Sequence, residues 1–186
     1  MNSILATAGR IVAICIAGGL VLALFHIGLA PVIAATVHAA EMDSVSGVAG
    51  QSAIGAAVEV RDVPGVVRYF PLSGKAGATT GYVVVMSGED YAGPFAIFAN
   101  CRPSGEIVQS RFVRKREGPP LGPDALPAGL MSVFTGTGGK VPVPATIDGL
   151  TAKAAQTVSG ATVTFVACGR LLAAGTAFVE SLGGKK

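Results

Sequence analysis

The stretch Gln156-Thr157-Val158-Ser159-Gly160-Ala161-Thr162-Val163-Thr164-Phe165 decides how the rest of the chain is read. Ser159 and Gly160 stand before a run rich in Ala, Val and Leu, the pattern of a helix start with Ser159 as its cap. Unpaired backbone N–H groups and the positive end of the helix dipole coincide at such a point, which suits a phosphate. Thr162 then offers a hydroxyl beside it. The plainer reading of the same residues is an ordinary capped helix, since Ala and Gly abound in this chain.

Downstream, Leu171, Phe178 and Leu182, with Gly175 between them, recur at helical spacing. They predict a terminal helix packed on a sheet, with Arg170 and Glu180 facing away. Gly169 and Gly175 each lower helix propensity by about a kcal/mol relative to alanine.

Upstream, the runs 66–70 (Val-Val-Arg-Tyr-Phe), 81–86 (Gly-Tyr-Val-Val-Val-Met), 94–99 (Pro-Phe-Ala-Ile-Phe-Ala) and 107–113 (Ile-Val-Gln-Ser-Arg-Phe-Val) are β-branched and aromatic segments between turn-formers, as strands are. Arg102-Pro103-Ser104-Gly105-Glu106 has turn chemistry and makes the last two a hairpin. Arg114-Lys115-Arg116 reads as a solvated strand end. Gly118-Pro119-Pro120-Leu121-Gly122-Pro123 sustains neither helix nor ladder and reads as a loop, while 125–134 reads as a short helix.

The front of the chain has a different character. No charged residue occurs from Ile11 to Ala35, and this run exceeds the roughly twenty residues a helix needs to cross a bilayer. Arg10 precedes it and the next Lys or Arg is Arg61, a bias that favours a cytoplasmic N-terminus and an extracytoplasmic remainder. A cleaved signal peptide ending near Val37-His38-Ala39-Ala40 is the rival reading. Gly18, Gly19, Gly28 and Ala30 suit close approach of a neighbouring helix. His26 reads as an interfacial imidazole at the outer end of the span.

The expected organisation is a cytoplasmic N-terminus over 1–10, a transmembrane helix over 11–35, a loosely structured connector over 36–58, and a compact domain over 59–186. The expected fold class is α+β, an antiparallel sheet with packed helices behind a membrane anchor.

Composition excludes several functions. The 186 residues are 51% hydrophobic with 26 Gly and no Trp, and the formal charge of +3 is scattered, so nucleic-acid binding has no basic surface to rest on. Cys15, Cys101 and Cys168 are too far apart for metal-ligand spacing. Cys101 and Cys168 read as buried free thiols, with a disulfide as the alternative outside the cytoplasm. No Ser-His-Asp or Cys-His set suggests independent hydrolysis.

Two separated stretches carry a resemblance. Tyr91-Ala92-Gly93-Pro94, the following strands and turn, and Glu117-Gly118-Pro119-Pro120-Leu121-Gly122 resemble the FMN-binding domain of electron-transport subunits. Ser159-Gly160-Ala161-Thr162-Val163-Thr164 resembles the flavin-attachment motif of that family. The chain is most similar in plan to G subunits of Rnf-type ion-translocating complexes, and less so to C subunits of the sodium-pumping NADH:quinone reductase.

The resemblance implies an FMN esterified through its phosphate to Thr162 by a separate flavin transferase. It further implies that Ser159, Gly160, Ala161, Thr164, Leu121 and Gly122 help to bind that FMN. The partners implied are other membrane subunits of an electron-transport complex, with no diffusing substrate. Four positions in three places depart from the family pattern. Gln156 stands six residues before the acceptor, where an acidic residue is usual. Gly118-Pro119-Pro120-Leu121-Gly122 replaces Thr-Pro-Gly-Leu-Gly, and Phe165 replaces a small or polar residue. Two other functional readings stay open: a structural subunit that has lost its flavin, and a standalone membrane-anchored FMN-binding reductase or sensor.

Overall fold

A computed structural model of the chain describes residues 2–74, 77–114, 126 and 129–183, with side chains from residue 8 onward. Leu121, Gly122 and the rest of the Pro-rich loop, together with Lys115 and Arg116, lie outside the described residues. The chain divides into two units, 1–43 and 44–186.

The first unit is helical. Helix α1 (Asn2–Ala49) has 48 residues, about 72 Å at 1.5 Å per residue, against a hydrocarbon thickness of ~30 Å. It is long and apolar enough to cross a membrane, and Leu22, Ile14 and Phe25 stand exposed along it. Pro31 lies inside α1, where its missing N–H removes one rung of the helical ladder.

The second unit begins earlier than the composition suggests. Residues 41–49, read as loose connector, continue α1, because Val45, Val48 and Ala49 recur at helical spacing and are all buried. Gly50, at φ 64°, ends the helix in the left-handed conformation that glycine adopts at least cost. Strands β1 (Ala53–Ile54) and β2 (Val58–Glu59) then pair with the first long strand, so 44–58 belongs to the compact unit.

The fold is α+β, built on a curled antiparallel sheet. All four expected strands form, as β3 (Val66–Ser73), β4 (Thr79–Asp90), β5 (Gly93–Cys101) and β6 (Ile107–Arg114). They pair in the order β1-β3-β4-β5-β6, with β2 also on β3. The turn at Arg102–Glu106 closes the β5–β6 hairpin, its Arg102 N–H donating to the Glu106 carbonyl at 2.8 Å.

Strand alternation sets two faces. Val84, Met86, Phe95, Ile97 and Ala99 build the main core on one of them, whereas Val83, Val85 and Phe98 are buried on the other. On that second face Asn100 Nδ2 donates to the Val48 carbonyl at 2.8 Å, and Gln109 Nε2 to that of Gly47 at 3.4 Å, which seats residues 44–49 there. Strands β4 and β5 are thus buried on both faces.

Helix α2 (Ala152–Val158) and helix α3 (Thr162–Gly183) end the chain. The seam of α3 runs through Phe165, Cys168, Leu172, Thr176 and Val179, one residue round from the expected Leu171 and Phe178, which are only partly buried. Arg170 and Glu180 are exposed as expected. Gly169 and Gly175 lie on the buried side. A Cβ on Gly169 would collide with the Pro144 carbonyl, and one on Gly175 would come within 2.5 Å of Met86 Sδ. Their propensity cost is offset by close packing. In place of the short helix expected over 125–134, the described residues hold a 3-10 turn at Met131–Phe134.

Candidate functional site

Ser159 does not cap the last helix. It is the C-cap of α2, with its N–H on the Gln156 carbonyl at 3.2 Å, because a short helix not evident in the sequence occupies the residues before it. Thr151 starts that helix, its hydroxyl accepting from the Ala154 N–H. Gly160 follows at φ 84° and reverses the chain, the role glycine takes just past a helix end. Ala161 is buried, and its carbonyl accepts the first α3 bond, from the Phe165 N–H at 2.8 Å.

This corner leaves the N–H groups of Thr162, Val163 and Thr164 without intrahelical partners, as at any helix start. Ser159, Gly160, Thr162 and Val163 are exposed, whereas Thr164 is buried. A Cβ placed on Gly160 would meet nothing within 4 Å.

Thr164 behaves oppositely. It is 2% exposed, and its Oγ1 donates to Asp90 Oδ2 at 2.7 Å. Asp90 ends β4 at the head of the Tyr91-Ala92 turn, where the Ala92 N–H donates to Oδ1 at 2.9 Å in the self-bonding manner of Asp in turns. Gly93 completes the turn at φ 111°.

Arg114, at the end of β6, forks onto the same carboxylate, Nη1 to Oδ1 at 2.8 Å and Nη2 to Oδ2 at 3.1 Å. The guanidinium also lies 5.3 Å from the centre of the Phe112 ring, which stacks on Phe95. The Asp90 side chain is fully buried and that of Arg114 is 9% exposed. Arg114 is therefore no solvated strand end: partnered, forked and stacked, it is an interior cation.

Hydrogen bonding from Arg114 holds the Asp90 carboxyl at about 2, against the opposing pull of burial, with Thr164 and Ala92 adding to the downward shift. Burial alone drives the Cys101 thiol up to about 12. Burial first, then the Asp90 charge, does the same to Cys168. Both thiols are free and buried, hence poor nucleophiles.

Of the residues singled out from sequence, the structure brings Ser159, Gly160, Ala161, Thr162 and Thr164 to one corner. Thr164 links that corner to the Tyr91-Ala92-Gly93 turn through Asp90. Asp90 itself was missed. Its signal was present in the parity of β4, which puts it on the core face with Val84, Met86 and Gly88. Phe165, one of the departures from the family pattern, is fully buried and stacks on Phe134 at 4.9 Å, so its size serves the core. No protein-family model matches this chain, and no curated protein is significantly similar to it.

Proposed function

We propose that this chain is a membrane-anchored flavoprotein subunit of an Rnf-type ion-translocating electron-transport complex, carrying FMN as a phosphoester on Thr162. The observation that carries the reading is the exposed Thr162 at a helix start whose first N–H groups have no intrahelical partners, beside the left-handed Gly160. Phosphate oxygens would accept from those N–H groups, and the dipole of α3 would favour their charge. Esterification would join Thr162 Oγ1 to the FMN phosphorus of a flavin dinucleotide donor while the donor's pyrophosphate P–O bond breaks, the nucleoside monophosphate leaves and the hydroxyl proton is lost to solvent, so that the chain becomes heavier by one FMN less one water.

When bound, the flavin supplies the electron-accepting and electron-donating chemistry. The protein's part is to tether and orient. Helix α1 is the anchor, with its N-terminus cytoplasmic and the sheet unit outside, on the distribution of Arg10 and Arg61. Other membrane subunits are the electron partners, no diffusing substrate is bound, and Leu121 and Gly122 belong to the same FMN site by resemblance.

A second reading, a structural subunit without flavin, is favoured by Gln156, which lies exposed on α2 where the family carries an acidic residue. Intact mass and ultraviolet in-gel fluorescence of the protein taken from its native membranes separate the two. The carrier shows one FMN per chain, lost in Thr162→Ala. A bare, dark chain from cells with an active flavin transferase supports the structural subunit and ends the carrier reading.

A further inference from the structure

The first turn of α3 lacks the backbone bonds that stiffen a helix interior, so its direction depends on what its side chains hold. Two of them point opposite ways. Residues two apart on a helix are separated by roughly 200°, so the inward Thr164 turns Thr162 outward, in accord with their burial. What fixes Thr164 is a carboxylate that is itself immobile: Asp90 is tied to Arg114 by two bonds and to its own turn by a third.

Asp90 therefore joins three segments distant in sequence, the β4–β5 turn, the end of β6 and the start of α3. Its pairing with Arg114 already satisfies the buried charge. The Thr164 bond adds direction, because a threonine hydroxyl on a fixed oxygen sets one rotamer and one azimuth for the turn that carries it.

We propose that Asp90 is a positioning residue that, by accepting the Thr164 hydroxyl, locks the first turn of α3 and so aims the Thr162 hydroxyl at an incoming phosphoryl donor. This rests on the reading of Thr162 as the residue esterified. Arg114 keeps Asp90 ionised and stationary, and Thr164 transmits its position.

The test uses the full-length chain in detergent, as wild type, Thr164→Val and Thr164→Ser. Amide hydrogen exchange at Phe165 and Val166 reports the first turn, exchange at Leu172 reports the middle of α3, and FMN incorporation during co-expression with a flavin transferase reports presentation of Thr162. In Thr164→Val, exchange at Phe165 and Val166 should quicken roughly tenfold or more, as for loss of a hydrogen bond to a charged acceptor, while Leu172 is unchanged. FMN incorporation should fall by a similar factor, and Thr164→Ser should restore both.

The proposal is overturned if Thr164→Val takes up FMN at the wild-type rate, or if exchange quickens evenly along α3, which is the signature of a merely structural contact. If wild type itself takes up no FMN, the reading of Thr162 falls, and the exchange measurements alone decide whether Asp90 locks the turn.

Discussion

Helices α1 and α3 both have the length and apolarity of a membrane span, yet they spend their side chains differently. Along α1 the residues from Gly9 to Ala40 are exposed without exception, Leu and Phe included. Helix α3 buries a stripe from Phe165 to Val179 and turns Arg170 and Glu180 outward. Composition alone does not tell a helix that its own chain leaves uncovered from one that packs on its own sheet. The difference lies in the partners the chain supplies: two glycines on α3 admit Pro144 and Met86, whereas a Cβ on Gly9, Gly18, Gly19 or Gly28 would meet nothing within 4 Å.

The sharpest way to break this comparison is to remove one helix's apolar run. Deleting residues 2–35 should shift the protein from the alkali-washed membrane pellet to the soluble fraction almost completely, with no change in the thermal midpoint of the sheet unit. Retention in the pellet would mean that α3 or the sheet also binds lipid, and the contrast would dissolve.

Single side chains should sharpen it next. Phe165→Ala removes a fully buried ring stacked on Phe134 and should cost about 3–5 kcal/mol in urea unfolding of the sheet unit. Phe25→Ala, at a position 64% exposed in α1, should leave that unfolding transition in place. Equal losses from the two would show that both rings pack against protein.

Much of this architecture was legible, and the failures have physical causes. Strands β3 to β6 announced themselves because their β-branched and aromatic runs are local, and so did the Arg102–Glu106 turn. Helix α2 did not, since Ala152-Lys153-Ala154-Ala155-Gln156-Thr157-Val158 buries only Val158 and carries no apolar period. The seam of α3 was read one residue off because Leu171 has its own niche: its methyls lie where Cβ atoms of Gly65 and Gly88 would be, a fit no local period encodes.

Arg114 was misread for a similar reason. A cation at a strand end is ordinarily solvated, and what buries this one is a carboxylate two strands away. The Thr162 corner was visible as a motif, but the device that fixes it, Thr164 on Asp90, spans 74 residues of sequence.

Acid supplies the mildest lever between the two helices, because α1 has no titrating carboxylate between Ile11 and Ala40 while the start of α3 is tied to one. The folded-state pKa of Asp90 is lowered from 3.8 to about 2, so its ionised form stabilises the fold fully above about pH 4, and that stability drains away as pH falls through 2. A drop of that size corresponds to at most about 2 kcal/mol. Arg114 from β6 stays charged throughout this window, and Cys168 on α3 stays neutral, leaving Asp90 as the group that changes. Urea unfolding of wild type and Asp90→Asn should therefore show a stability gap at pH 6 that narrows by at most about 2 kcal/mol by pH 2, since the amide cannot lose a charge it never had. A gap that stays constant across that range would mean Asp90 is held no more tightly in the fold than in the unfolded chain, and the tie at the head of α3 would carry no more weight than any surface contact along α1.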